Sequence, residues 1–188
     1  MNLRNNRRLL TYILLVLLVV WIGVIFFFSS ETPERSAQRS GYVYRLLRKL
    51  NAVLDFSRTE AFRKVVTVFK RLFIGTAGAG PDEFIRSSAH FGFYAIFGFV
   101  TALFFWLLKR DVLVSFLLGV SLPSVVAILD EYNQAFHRRQ STVVDAFVDL
   151  MGTISGTILA HLLLLVVSLI VRLRKRKERD ERLRSIQR

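Results

Sequence analysis

Four stretches of this chain are apolar on every side, and its charge collects in the intervals between them. The first is LLTYILLVLLVVWIGVIFFF, Leu9 to Phe28, without one charged residue. Three more occupy 88–108, 112–130 and 146–171. A helix rises about 1.5 Å per residue, so runs of ~20 residues cross a ~30 Å hydrocarbon layer. The pattern predicts four transmembrane helices. The N-terminal run is longer than a signal-peptide core and no small-x-small cleavage site follows it, so it is expected to stay as an anchor.

Between the first and second spans the periodicity changes. Phe62, Val65, Val66, Phe69, Leu72 and Phe73 share one helical face, opposite Arg63, Lys64, Lys70 and Arg71. Val43, Leu46, Leu47, Leu50, Val53 and Leu54 form a similar stripe. Such stripes predict amphipathic helices that lie in the membrane interface or pack on the end of the bundle. GTAGAGPDE, Gly75 to Glu83, predicts a break before the second span and lacks the lysine of a phosphate-binding loop. The expected fold class is all-α: an integral membrane protein with four transmembrane helices plus extracytoplasmic amphipathic interfacial helices. Residues 1–171 form one membrane domain with 29–87 as its outer segment, and 172–188 a basic cytoplasmic tail.

Charge sets the expected orientation. Arg4, Arg7 and Arg8 precede the first span, Lys109 and Arg110 separate the second from the third, and nine Lys and Arg lie between Arg172 and Arg188. Four spans put these three segments on one side, which the positive-inside rule assigns to the cytoplasm. The eleven basic residues of 29–87 resist that rule, but the segment is long and six acids dilute it. The formal net charge of +13 in so apolar a chain points to an anionic membrane surface, and no nucleic-acid motif is present. With no cysteine, disulfides, thiolate metal sites and cysteine nucleophiles are excluded.

One interval is unusual. AILDEYNQAFHRRQSTVVDAFVDLMGTISG, Ala127 to Gly156, begins and ends in membrane-helix sequence and is acidic and basic between. Asp130, Glu131 and Gln134 close the third span, Arg138 and Arg139 follow, and Asp145 and Asp149 open the fourth. Arg86, His90 and Tyr94 recur every four residues at the start of the second span, so they share a face. Asp145, Asp149, Gly152 and Gly156 also share one, whose glycines admit a close helix neighbour. Pro123 removes a backbone donor within the third span and is expected to bend it. All these polar groups fall at one membrane level, the outer one in the predicted topology. The candidate ligand-binding residues are Arg86, His90, Tyr94, Asp130, Glu131, Gln134, Arg139, Asp145 and Asp149. The blander reading is a set of helix ends reaching water, which tolerate charge. His161, deep in the fourth span, reads as an inter-helix hydrogen bond, and His137 as a solvated loop residue.

Three stretches together resemble the VanZ-like membrane proteins: VIFFFSSETPERSAQRS, RSSAHFGFYAIFGF and DEYNQAFHRRQSTVVDAFVDLMG. Arg86, His90, Tyr94, Asp130, Glu131, Gln134, Phe136, Arg139, Asp145, Asp149 and Gly152 fall on that pattern. Glu31 stands where glutamine is usual and Arg86 where lysine is usual. His137-Arg138 replaces a Pro-Gly and is one residue shorter. The resemblance implies a four-helix bacterial cell-membrane protein and, for the family's namesake, lowered sensitivity to teicoplanin-type lipoglycopeptides. It implies no established reaction.

Two functions follow from this reading. The first is a binding protein whose outer polar pocket takes a lipid headgroup or a lipid-linked cell-wall intermediate, with membrane lipids and a lipoglycopeptide as expected partners. The second is an intramembrane enzyme, with His90 as general base, Glu131 or Asp145 orienting it, and Arg139 facing developing negative charge. No cofactor is expected and no metal is assigned: a divalent oxygen-ligand site from the carboxylates is only weakly signalled, since one histidine and scattered acids lack a diagnostic ligand spacing. A transporter is disfavoured by four spans without an inverted repeat.

Overall fold

The computed structural model describes residues 3–69, 71, 81–137 and 143–186. Every element among them is helical: α1 (Leu3–Ser29), α2 (Pro33–Leu54), a 3-10 turn (Phe56–Arg58), α3 (Glu60–Phe69), α4 (Pro81–Lys109), α5 (Val112–Phe136) and α6 (Val143–Ile186). Asn5–Ser29, Phe84–Lys109, Val112–Phe136 and Val144–Arg179 are long and apolar enough to cross a membrane. The protein is a multi-pass membrane protein.

Helix boundaries follow local chemistry. Thr32 caps α2: its hydroxyl accepts from the Arg35 backbone N–H at 3.5 Å, and Pro33 sits where an N–H would be unpaired anyway. Asp111 caps α5 by accepting from Val114 N–H at 2.9 Å, so two residues, Arg110 and Asp111, turn α4 into α5. Arg110 takes a φ of 57° in that turn. α5 stays one helix through Pro123. α6 continues past the expected span end at 171 as a single helix of 44 residues, about 66 Å long. The basic residues after 171 thus continue the same helix as far as Ile186.

α4 is the hub. It is 39% buried over its most apolar stretch, against 11% for α1, and its contacts with α6 are the most extensive in the molecule. Glycine makes that closeness attainable. A Cβ at Gly156 would lie 2.6 Å from the Ala95 carbonyl carbon, and one at Gly152 would lie 3.1 Å from that of Phe91. Two backbones thus meet with no side chain between them, the geometry that small residues give helices in lipid. α1 is fastened from outside the pair, where the Trp21 indole N–H donates to the Phe93 carbonyl at 3.1 Å. Arg7 donates through Nε to the Leu107 carbonyl at 2.9 Å, satisfying the C-terminal end of α4. Leu9, Val16, Leu113, Val125, Leu159 and Leu162 are exposed, as lipid-facing residues must be.

α2 packs on α4, and α3 packs chiefly on the 3-10 turn. The α3 stripe is described only as far as Phe69; Leu72 and Phe73, expected to continue it, lie outside the described residues, as does most of Gly75–Glu83.

Candidate functional site at one end of the bundle

The shared face on α4 meets acids on two neighbouring helices. Arg86 Nη2 lies 3.3 Å from Asp145 Oδ2. One turn on, His90 Nδ1 lies 3.1 Å from Asp149 Oδ1. A further turn on, the Tyr94 hydroxyl donates to Asp130 Oδ2 at 3.0 Å. The first two contacts are each 59 residues apart in sequence, as parallel helices held at one register require. His90 Nδ1 thus faces Asp149, whereas the sequence reading names Glu131 or Asp145 as the group orienting it. Asp145 is taken by Arg86.

These groups are enclosed. Asp130, Glu131, Gln134, Asp145 and Asp149 are all buried, Asp149 completely. Buried polar groups are normally hydrogen-bonded, and an orphan costs about 1–3 kcal/mol. Among the described residues, Asp130 Oδ1 and Asp149 Oδ2 are buried with no hydrogen-bond partner. His90, Asp130, Glu131 and Asp149 each offer one ligand-type atom within 4.8 Å of the others. Their positions share no metal-type spacing because they come from α4, α5 and α6, so only the fold assembles them.

A cavity of about 440 Å³ opens onto this cluster between α1, α2 and α4. His90, Tyr94, Asp130 and Gln134 line its polar part. Its walls are apolar, with Phe28, Val43, Leu47, Ile85 and Phe93 prominent. Arg39 and Arg86 also line it. The sequence matches the VanZ/LLP1 family over residues 14–165. The chain belongs to this family. No curated protein and no solved structure matches it.

The VanZ/LLP1 region covers the whole polar cluster and stops short of the basic half of α6. Of the candidate residues, Arg86, His90, Tyr94, Asp130, Glu131, Gln134, Asp145 and Asp149 all stand at this one end of the bundle. Arg138 and Arg139 lie outside the described residues. Ser29, Glu31, Arg39 and Asn133 contribute as well, though none is among the candidate ligand-binding residues. Ser29 donates to the Asp130 carbonyl at 3.1 Å and accepts from Asn133 Nδ2 at 2.9 Å, tying the end of α1 to α5. Glu31 pairs with Arg39, whose guanidinium lies 4.3 Å from the Phe28 ring centre. Their signal was the polar Ser-Ser-Glu ending an apolar span, where solvated helix-end residues are equally common.

The other two histidines have structural partners. His161 Nε2 lies 3.0 Å from Ser115 Oγ, linking α6 to α5 as expected. His137 caps α5, its Nδ1 donating to the Asn133 carbonyl at 2.9 Å.

Proposed function

We propose that this VanZ/LLP1 protein binds an amphiphile at the outer face of a bacterial cell membrane: the headgroup of a membrane lipid or of a lipid-linked cell-wall intermediate. The observation that carries the reading is the cavity. Its walls are largely aliphatic and aromatic, drawn from α1, α2 and α4, and His90, Tyr94, Asp130 and Gln134 give it a polar part. Ligand sites of this kind hold an apolar body on one side and orient it by a few polar groups on the other. Family membership supports the further reading that occupancy lowers sensitivity to teicoplanin-type lipoglycopeptides, which act on such intermediates. Filling the cavity tests it. The Ser40→Trp chain, altered on the α2 wall, should retain at least about tenfold less of its co-purifying lipid in nanodiscs. It should also lose any protection against teicoplanin in a sensitive host. An unchanged lipid complement in a folded Ser40→Trp chain rejects the reading.

A second reading, an intramembrane enzyme acting on a lipid or envelope precursor, is favoured by the His90–Asp149 contact. With a neutral imidazole and an ionised Asp149, this contact selects the Nδ1–H tautomer and leaves Nε2 with a lone pair. That is the arrangement of an oriented general base. His90→Gln separates the readings: under catalysis it abolishes conversion of membrane lipid extracts while lipid retention persists.

A further inference from the structure

The cavity presents an anionic headgroup with a problem. Its two described arginines are already engaged, Arg39 by Glu31 and Arg86 by Asp145. Beyond them stand Asp130, Glu131 and Asp149, and among the described residues neither Asp130 nor Asp149 meets a Lys or Arg. Three buried carboxylates in a low dielectric repel one another and any incoming phosphate or carboxylate.

We infer that His90, Asp130, Glu131 and Asp149 hold a divalent first-row metal ion at the base of this cavity. Three independent features point there. The first is spacing. Opposite ligands on a six-coordinate ion are about 4.2 Å apart, twice a ~2.1 Å bond. The four candidate atoms lie within 4.8 Å of one another, near that span.

The second is the orphaned oxygens. Asp130 Oδ2 accepts from the Tyr94 hydroxyl and Asp149 Oδ1 faces His90, yet among the described residues Asp130 Oδ1 and Asp149 Oδ2 are buried without a hydrogen-bond partner. These side chains are 3% and 0% exposed. A cation would satisfy both where no described residue donates to them.

The third is the imidazole. Its Nδ1 lies 3.1 Å from Asp149 Oδ1, so an ion held between the ring and that carboxylate would replace this hydrogen bond with two metal bonds. One nitrogen with three carboxylates suits Mn²⁺, Fe²⁺ or Zn²⁺ better than Ca²⁺ or Mg²⁺, which favour oxygen alone. His90 and Asp130 line the cavity, so the ion would keep a position open toward it. There it would present positive charge to a phosphate or carboxylate. Only this last use rests on the headgroup reading.

The ion is tested without lipid. Full-length protein in detergent, stripped with a chelator, is titrated with Mn²⁺ and followed by the spin-resonance signal of free Mn²⁺. One saturable ion per chain, displaced by Zn²⁺, is expected. His90→Gln and Asp149→Asn should each weaken binding by about tenfold or more. Glu60→Gln, on exposed α3, should bind as the wild type does. The wild-type melting temperature should rise with added Mn²⁺, a readout that needs no variant. The inference is overturned if neither Mn²⁺ nor Zn²⁺ binds saturably. It is also overturned if folded His90→Gln and Asp149→Asn chains keep wild-type affinity, or if Ca²⁺ binds as tightly as Mn²⁺. Lipid retention by Ser40→Trp is read separately, so loss of the headgroup reading leaves a positive Mn²⁺ titration standing.

Discussion

Arg86 and Asp145 meet with side chains 23% and 5% exposed, so the carboxylate is the more enclosed partner. Truncating the arginine removes a charge-assisted hydrogen bond from an acid with little water to replace it. Arg86→Ala should cost about 1–3 kcal/mol. Asp145→Asn on the same background should recover part of that loss, because the group left exposed to its own desolvation is gone. Denaturation in detergent of both single variants and the double variant measures this. The expected coupling is about 0.5–3 kcal/mol, and strictly additive losses would count against a working pair. The four-residue repeats of Arg86, His90 and Tyr94, and of Asp145 and Asp149, made the facing surfaces legible in the sequence. Which residue met which was not legible. Pairing depends on the sliding register of α4 against α6, a property of two helices that no single stretch carries.

That register is set between helices by glycine. A Cβ at Gly156 would press into the Ala95 carbonyl, whereas one at Gly92 meets nothing within 4 Å. Gly156→Ala should therefore push α6 from α4 and destabilise the bundle by about 1–3 kcal/mol, the usual range for overpacking. Gly92→Ala should be neutral or stabilising by up to about 1 kcal/mol, since alanine is the better helix former. Equal behaviour of the two chains in thermal melts would contradict the packing. Displacing α6 should also separate Asp149 from His90, so Gly156→Ala should lose Mn²⁺ affinity that Gly92→Ala keeps. At this scale the Gly152 and Gly156 stripe was readable as a close-approach face. Gly98 and Gly119 were not, because isolated glycines in an apolar helix show no periodicity. A Cβ at Gly119 would meet Ala102 and Thr157 at 3.0–3.1 Å, so it serves the same close packing. The polar cluster is hidden for a related reason: its acids lie on α5 and α6 and its imidazole on α4, and only the three-helix contact gathers them.

For the molecule as a whole, sidedness decides what can reach the cavity. Arg7 on the Leu107 carbonyl brings the N-terminal basic segment to the α4–α5 turn, where Arg110 lies 4.4 Å from the Trp106 ring centre. The basic second half of α6 emerges at that same end, and the carboxylate cluster occupies the other. Lys and Arg near span ends resist translocation, so the basic end is predicted to face the cytoplasm. The chain has no cysteine, so single replacements report without background. A membrane-impermeant maleimide applied to intact cells should modify Ser57→Cys, in the turn between α2 and α3, and spare Ser185→Cys near the end of α6 until the membrane is opened. Labelling of Ser185→Cys with protection of Ser57→Cys would place the cavity in the cytoplasmic leaflet. A lipoglycopeptide outside the cell could not then compete for its ligand, and the antibiotic reading would fall. The carboxylate–histidine cluster would stay as it is, but its anionic ligand would have to come from the inner leaflet or from a precursor not yet flipped across.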